Sequence, residues 1–187
     1  MSSRLPQEGS RIDREKIVDF RFNGKNLKGF DGDTVASALL ANNEMLVARS
    51  FKYHRPRGIF SAGEEEPNAL MGIGEGSFFE PNIRATEVKL KQGMSVNSQN
   101  HWPSLKFDFL SINNIFSRFF AAGFYYKTFM WPRVAWKYLF EPLIRRASGL
   151  GNAPRDYDEE LYEHIHYQTD VLIIGGGLAG ITAAKAL

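Results

Sequence analysis

Near its C-terminus the chain runs Val171-Leu172-Ile173-Ile174 directly into Gly175-Gly176-Gly177-Leu178-Ala179-Gly180. No other stretch restricts the fold so sharply. Four aliphatic residues in a row suit a strand buried on both faces, as in a parallel sheet. The glycines match G-x-G-x-x-G. In that pattern Gly175 permits a tight turn, Gly177 lets the backbone approach a pyrophosphate, and Gly180 lets the helix touch the strand. Gly176, Leu178 and Ala179 complete the turn, and their N–H groups face where phosphate would sit at a helix N-terminus. Ala183, Ala184 and Ala186 suit a closely packed helix. The expectation is a dinucleotide-binding Rossmann start. A βαβ unit needs roughly 30 residues, whereas Asp170–Leu187 supplies 18. The second strand and its ribose-holding acid have no counterpart here, so residues 169–187 read as the truncated start of such a domain and the chain as the N-terminal part of a longer polypeptide.

A different architecture is written at the other end. Val18, Phe20 and Phe22 alternate with Asp19 and Arg21, the period of a half-buried strand. Asn23-Gly24 is a hairpin turn signal, with Leu27 and Phe30 on the return strand. Asp31-Gly32-Asp33 closes the pair, and Asp33 is placed to N-cap a helix from Thr34. Val35, Ala38, Leu39 and Asn42 share one face of that helix. A hairpin followed by a packed helix begins a β-grasp, ferredoxin-like domain as well as other small α+β domains. Further strands are expected after Pro67, through Ile73, and over Ala85–Leu90. The predicted organisation is an N-terminal tail (1–16), a β-grasp domain (17–98), an aromatic-rich connecting region with an acidic linker (99–168) and the Rossmann start.

Composition removes several function classes. The 187 residues carry a net charge of +2, so no global polyanion-binding signature exists. There is no cysteine, which excludes disulfides, thiolate-held iron–sulfur clusters, cysteine-ligated zinc and a cysteine nucleophile. No secretory signal opens the chain, and no apolar run approaches the ~18 residues of a membrane helix. A cytoplasmic protein is expected, with no membrane or nucleic-acid partner.

Two local patterns stand out. Arg49-Ser50-Phe51-Lys52-Tyr53-His54-Arg55-Pro56-Arg57 interleaves four cations with rings. This suits a loop that docks onto a partner domain or pairs with Glu64–Glu66, and less well a single-stranded nucleic-acid surface. Between Phe107 and Phe140, 13 of 34 residues are aromatic, a pattern of core or subunit interface. Pro142 is expected to break a helix within Val134–Arg146. The segment Arg155–Asp170 holds six acids against one base and reads as exposed linker. His164 and His166, two apart within it, fit solvated linker better than a metal site. No catalytic residue and no metal ligand can be assigned from spacing.

Gly32-Asp33-Thr34-Val35-Ala36-Ser37-Ala38-Leu39-Leu40-Ala41-Asn42 is followed by the Arg49–Gly58 block. Then come Glu66-Pro67-Asn68-Ala69-Leu70, Ser98-Gln99-Asn100-His101-Trp102-Pro103-Ser104, and Gly123-Phe124-Tyr125-Tyr126-Lys127-Thr128-Phe129-Met130-Trp131-Pro132. In this order, ending on the glycine turn, the blocks closely resemble the N-terminal region of the alpha subunits of heterotetrameric sarcosine oxidases. The resemblance implies a ferredoxin-like β-grasp domain and then an NAD-binding domain, within a complex with beta, gamma and delta subunits. It implies FAD on the beta subunit and FMN between alpha and beta. The implied reaction is oxidative demethylation of sarcosine to glycine, using oxygen and tetrahydrofolate and giving hydrogen peroxide and methylene-tetrahydrofolate. Only Gly175 to Gly180 carry over as cofactor-contacting positions. Related dehydrogenase subunits hold a cluster in the β-grasp domain. With no cysteine around Arg49–Asn68, this domain is expected to be cluster-free and structural. The isolated chain is expected to be inactive. The competing reading is a non-catalytic β-grasp module that binds a partner.

Overall fold

Strand β1 (Asp13–Phe22) turns at Asn23-Gly24 into the antiparallel β2 (Lys25–Asp31). Both turn residues have positive φ, 48° and 79°, the geometry that makes Asn-Gly a tight hairpin. In the computed structural model, which describes residues 3–5, 11–119, 123, 129, 131–147 and 149–187, five strands form one sheet. One of the blocks quoted above is affected: most of Gly123–Pro132 lies outside the described residues.

Helix α1 (Val35–Ala41) follows, with β3 (Ala48–Arg49) and β4 (Pro56–Arg57) as a separate two-stranded ribbon. Then come β5 (Leu70–Ile73), β6 (Glu80–Arg84) and β7 (Met94–Ser98). The sheet order is β2-β1-β7-β5-β6, with β1 and β7 parallel and the other pairs antiparallel. A hairpin, a helix, and a late strand inserted parallel to the first make the expected β-grasp arrangement within a mixed α+β fold.

The core is what the alternation promised. Val18, Phe20 and Phe22 from β1, Leu27 from β2, and Val35, Ala38 and Leu39 from α1 are buried in one cluster with Met71 and Val96. Leu39 is fully enclosed. Leu39→Ala should cost about 3 kcal/mol, the cost of a cavity that the neighbours only partly close, read as a lowered urea midpoint at unchanged slope.

Three local expectations need correction. The N-cap of α1 is Thr34, not Asp33. Ser37 N–H donates to Thr34 Oγ1 at 3.1 Å and Thr34 N–H to Ser37 Oγ at 3.0 Å, a reciprocal capping box. Asp33 is buried one step earlier, where it accepts from Phe30 N–H at 2.8 Å, from Ser37 Oγ at 2.6 Å and from the Arg4 guanidinium. Residues 85–90 are not a strand. The strand precedes them, and their carbonyls instead take the first N–H groups of the helix: Val35 donates to Val88 and Ala36 to Ala85, a direct answer to the unpaired donors of a helix start. Nor does Pro142 break its helix. A short turn α2 (Arg133–Ala135) widens into a π-helical stretch (Trp136–Phe140) and continues as α3 (Glu141–Ala147). The wider winding absorbs the hydrogen bond that Pro142 cannot donate.

Strand β7 carries no strong sequence signal. Only Val96 of its five residues is fully buried, yet it lies between β1 and β5. Asn23 locks it there: Ser98 N–H donates to Asn23 Oδ1 at 2.9 Å and Asn23 N–H to Val96 O at 3.0 Å.

Candidate functional site

The glycine turn is present, without its sheet. Helix α4 (Leu178–Ala186) starts at Gly177. Gly175 sits at φ 108°, a left-handed conformation that L side chains avoid. A Cβ on Gly180 would collide with the Gly175 carbonyl, whereas Gly176 and Gly177 face open space. The turn therefore has a close contact at its third glycine and room at its first two. The preceding Val171–Ile174 was expected as a buried parallel strand. Here it forms no ladder, and Ile174 is 88% exposed. An aliphatic run becomes a buried strand only when neighbouring strands pair with it, and the described residues bring none to it.

A second site, which spacing alone did not reveal, lies where the basic loop meets the aromatic region. The ribbon β3–β4 holds loop 50–55 closed: Ser50 N–H donates to Arg55 O at 2.8 Å and His54 N–H to Ser50 O at 3.1 Å. This turns the His54 ring inward, where it is 1% exposed. His54 Nδ1 lies 2.8 Å from Asp108 Oδ2. The other carboxylate oxygen, Oδ1, accepts Trp102 N–H at 3.0 Å and Leu110 N–H at 3.1 Å. Arg49 completes the join, donating to Leu105 O at 2.6 and 2.9 Å, Lys106 O at 3.0 Å and His54 O at 3.2 Å. Arg49 is therefore spent on carbonyls of 105–106, and Arg55 bonds Asn114 Oδ1 at 2.9 Å. The loop thus packs against segment 102–110 of its own chain.

His101 sits beside this network. Its Nε2 lies 2.8 Å from Ser98 Oγ, while Nδ1 is buried with no hydrogen-bond partner. Burial lowers its pKa below the ordinary imidazole value, against the opposing pull of Asp108.

A third feature is Glu66, 2% exposed. Its Oε2 accepts Phe60 N–H at 2.7 Å and Ser61 N–H at 2.6 Å, and its Oε1 accepts Asn68 N–H at 2.8 Å and Ala69 N–H at 3.2 Å. Burial pushes its pKa up, but the four backbone donors outweigh that and hold it below the ordinary carboxylate value. Loop 59–69 is thus wrapped around one anion. Glu66 is not the cationic loop's salt partner, as was one expectation.

The remaining candidates are dispersed. His164 and His166 lie in the exposed segment, and among the described residues no three His, Cys, Asp or Glu side chains group as metal ligands. No helix of the described residues is long and apolar enough to cross a membrane.

Residues 15–101 match the family described as 2Fe-2S iron-sulfur cluster binding domain. The chain is 54% identical, over 98% of its length, to sarcosine oxidase subunit alpha of Rhizobium meliloti (strain 1021). It is 34% identical, again over 98%, to the protein of that name from Corynebacterium sp. (strain P-1), and 32% over 95% to that from strain U-96. It spans 18%, 15% and 14% of those proteins, under a fifth of their length. Among solved structures, L-proline dehydrogenase from P. horikoshii is 29% identical, covering 46% of this chain and 16% of that one at a TM-score of 0.37, too low a score to carry an argument.

The donor set does not fit a 2Fe–2S cluster. The cluster needs four thiolates, or two with two imidazoles, and the chain has no cysteine. The backbone donors of loop 59–69 already converge on the Glu66 carboxylate.

Proposed function

From a chain that matches the N-terminal portion of sarcosine oxidase alpha subunits over 98% of its length, we propose that it is the N-terminal portion of an oxidoreductase subunit. The complex carries FAD and FMN, contains beta, gamma and delta subunits, and oxidatively demethylates sarcosine to glycine with oxygen and tetrahydrofolate. Its products are methylene-tetrahydrofolate and hydrogen peroxide. The observation that carries this reading is the 54% identity across both the β-grasp domain and the glycine turn.

Within that complex the chain has two tasks. The turn Gly175-Gly176-Gly177-Leu178-Ala179-Gly180 supplies the phosphate cradle of an NAD site. Its open face at Gly176 and Gly177 leaves room for a pyrophosphate, to which the first N–H groups of α4 would donate. NAD itself supplies a dinucleotide for that cradle when bound. The β-grasp domain is structural: its loop 59–69 is organised by a carboxylate and holds no cluster. None of its residues contacts the substrate, and the 187-residue chain alone does not oxidise sarcosine.

The test is the native gene product, isolated with its partner subunits. Sarcosine-dependent hydrogen peroxide release from a particle far heavier than 21.2 kDa is the expected result. A native product of 21.2 kDa without partner subunits or peroxide release would overturn the reading in favour of a partner-binding β-grasp module. In the intact protein Gly177→Val should lower bound NAD at least tenfold, measured by release on denaturation, because a side chain would occupy the space a pyrophosphate needs.

A further inference from the structure

We propose that Asn23 is a site of spontaneous deamidation, and that its clamp on Ser98 sets the rate. Asn23-Gly24 is the chain's single Asn-Gly step. A glycine has no side chain to shield its nitrogen, so that nitrogen can attack the side-chain amide before it. Asparagine is a thermolabile residue through this chemistry. At this turn nothing else shields the site. A Cβ built on Gly24 would meet no atom within 4 Å, and Asn23 is exposed to water.

The reaction needs water and no other reagent. The Gly24 nitrogen bonds to Cγ of Asn23, the Cγ–Nδ2 bond breaks, and ammonia leaves with the proton that the Gly24 nitrogen gave up. Water then opens the cyclic imide at either carbonyl. One opening leaves an aspartyl side chain. The other leaves an isoaspartyl linkage, in which the Cβ methylene has entered the main chain.

The fold holds the amide away from this attack. Nδ2 donates to Ser98 Oγ at 2.9 Å, while Oδ1 accepts Ser98 N–H at 2.9 Å and Ser98 Oγ lies 3.1 Å from it. The same hydroxyl lies 2.8 Å from His101 Nε2. With both ends of the amide tied to β7, Cγ is kept from the Gly24 nitrogen, and reaction waits for the clamp to open. The turn also seats β7, because Asn23 N–H donates to Val96 O at 3.0 Å. An aspartyl product still offers an oxygen to Ser98 N–H. The isoaspartyl product lengthens the turn by a methylene and moves the carboxylate away from the amide's place, so it releases β7.

Peptide mapping of the intact polypeptide, stored in mildly alkaline buffer, tests this, with isoaspartyl groups counted by enzymatic methylation. Ser98→Ala keeps the backbone bond and removes the hydroxyl. Residue 23 should convert about fivefold faster in it than in wild type, since local opening is the route. Leu39→Ala lowers global stability and leaves the clamp intact, so its rate should match wild type. Amides of 94–98 should exchange faster in the isoaspartyl fraction than in unmodified protein, whereas Asn23→Asp should leave them protected. Equal conversion in wild type and Ser98→Ala would overturn the proposal. So would acceleration by Leu39→Ala as large as that by Ser98→Ala, which would make global unfolding the gate. Unchanged exchange of 94–98 in the isoaspartyl fraction would overturn the link to β7.

Discussion

Glu66→Gln should destabilise the β-grasp domain by about 3 kcal/mol. Both oxygens of Glu66 are used, each by two backbone N–H groups. A glutamine keeps one acceptor oxygen and turns an NH2 group toward the other pair of donors. Two buried N–H groups then lose their partner, and the remaining bonds lose their charge-assisted strength. For a domain of this size the melting temperature should fall on the order of 10–20 °C. The effect has a pH signature with a definite sign. The folded pKa lies below the ordinary value of 4.5, so the carboxylate's contribution is complete above that value. It is lost as pH falls below it toward the folded pKa. Wild type should lose stability down this acid limb more steeply than the Gln variant. A Gln variant with the wild-type melting temperature and acid slope would show that the loop does not depend on this anion.

Asp108→Ala should cost a similar amount, about 3 kcal/mol, with a different order among variants. The substitution strands His54 Nδ1 and the N–H groups of Trp102 and Leu110, all brought to one carboxylate. Buried donors left without acceptors carry the full desolvation penalty. Here Asn should be far milder than Ala, at about 1 kcal/mol. One oxygen accepts both N–H groups, and the amide can face the imidazole in its other tautomer. Asp108 tolerates the amide where Glu66 does not, because the four donors at Glu66 are split between both oxygens. Chemical denaturation of the three variants, read by Trp102, Trp131 and Trp136 fluorescence, measures the contrast. Equal losses for Asn and Ala at position 108 would refute the assigned geometry. The loss should also loosen segment 102–110 from loop 49–57, leaving the Arg49 guanidinium to hold the carbonyls of Leu105 and Lys106.

Reading the sequence reached the elements whose signals are local. Asn23-Gly24 specifies its hairpin because positive φ at both positions is cheap for those two residues. The alternation Val18, Phe20, Phe22 specifies which face of β1 is buried. The glycine turn specifies a sharp bend into a helix, and the absence of cysteine removes the thiolate ligands of a cluster, although residues 15–101 match a family described by that cluster. The blocks from Gly32 to the glycine turn were enough to place the chain beside the sarcosine oxidase alpha subunits, the relatives at 54%, 34% and 32% identity.

Other features depended on partners distant in sequence. Met94–Ser98 is a central strand because Asn23 and β1 receive it, a pairing across more than 70 residues that no window of sequence displays. Residues 85–90 have strand composition but serve as acceptors for a helix start, and Val171–Ile174 has the composition of a buried strand but pairs with no strand among the described residues. The His54–Asp108 pair joins residues 54 positions apart, and Glu66 reads as one of three surface acids until the chain folds round it. The turns, the buried faces and the missing thiolates were legible in the residues, because those follow from the conformational and chemical limits of single residues and near neighbours. Folding decided which polar groups are buried and what satisfies them, because a buried carboxylate is stable only where the course of its loop turns several N–H donors onto it.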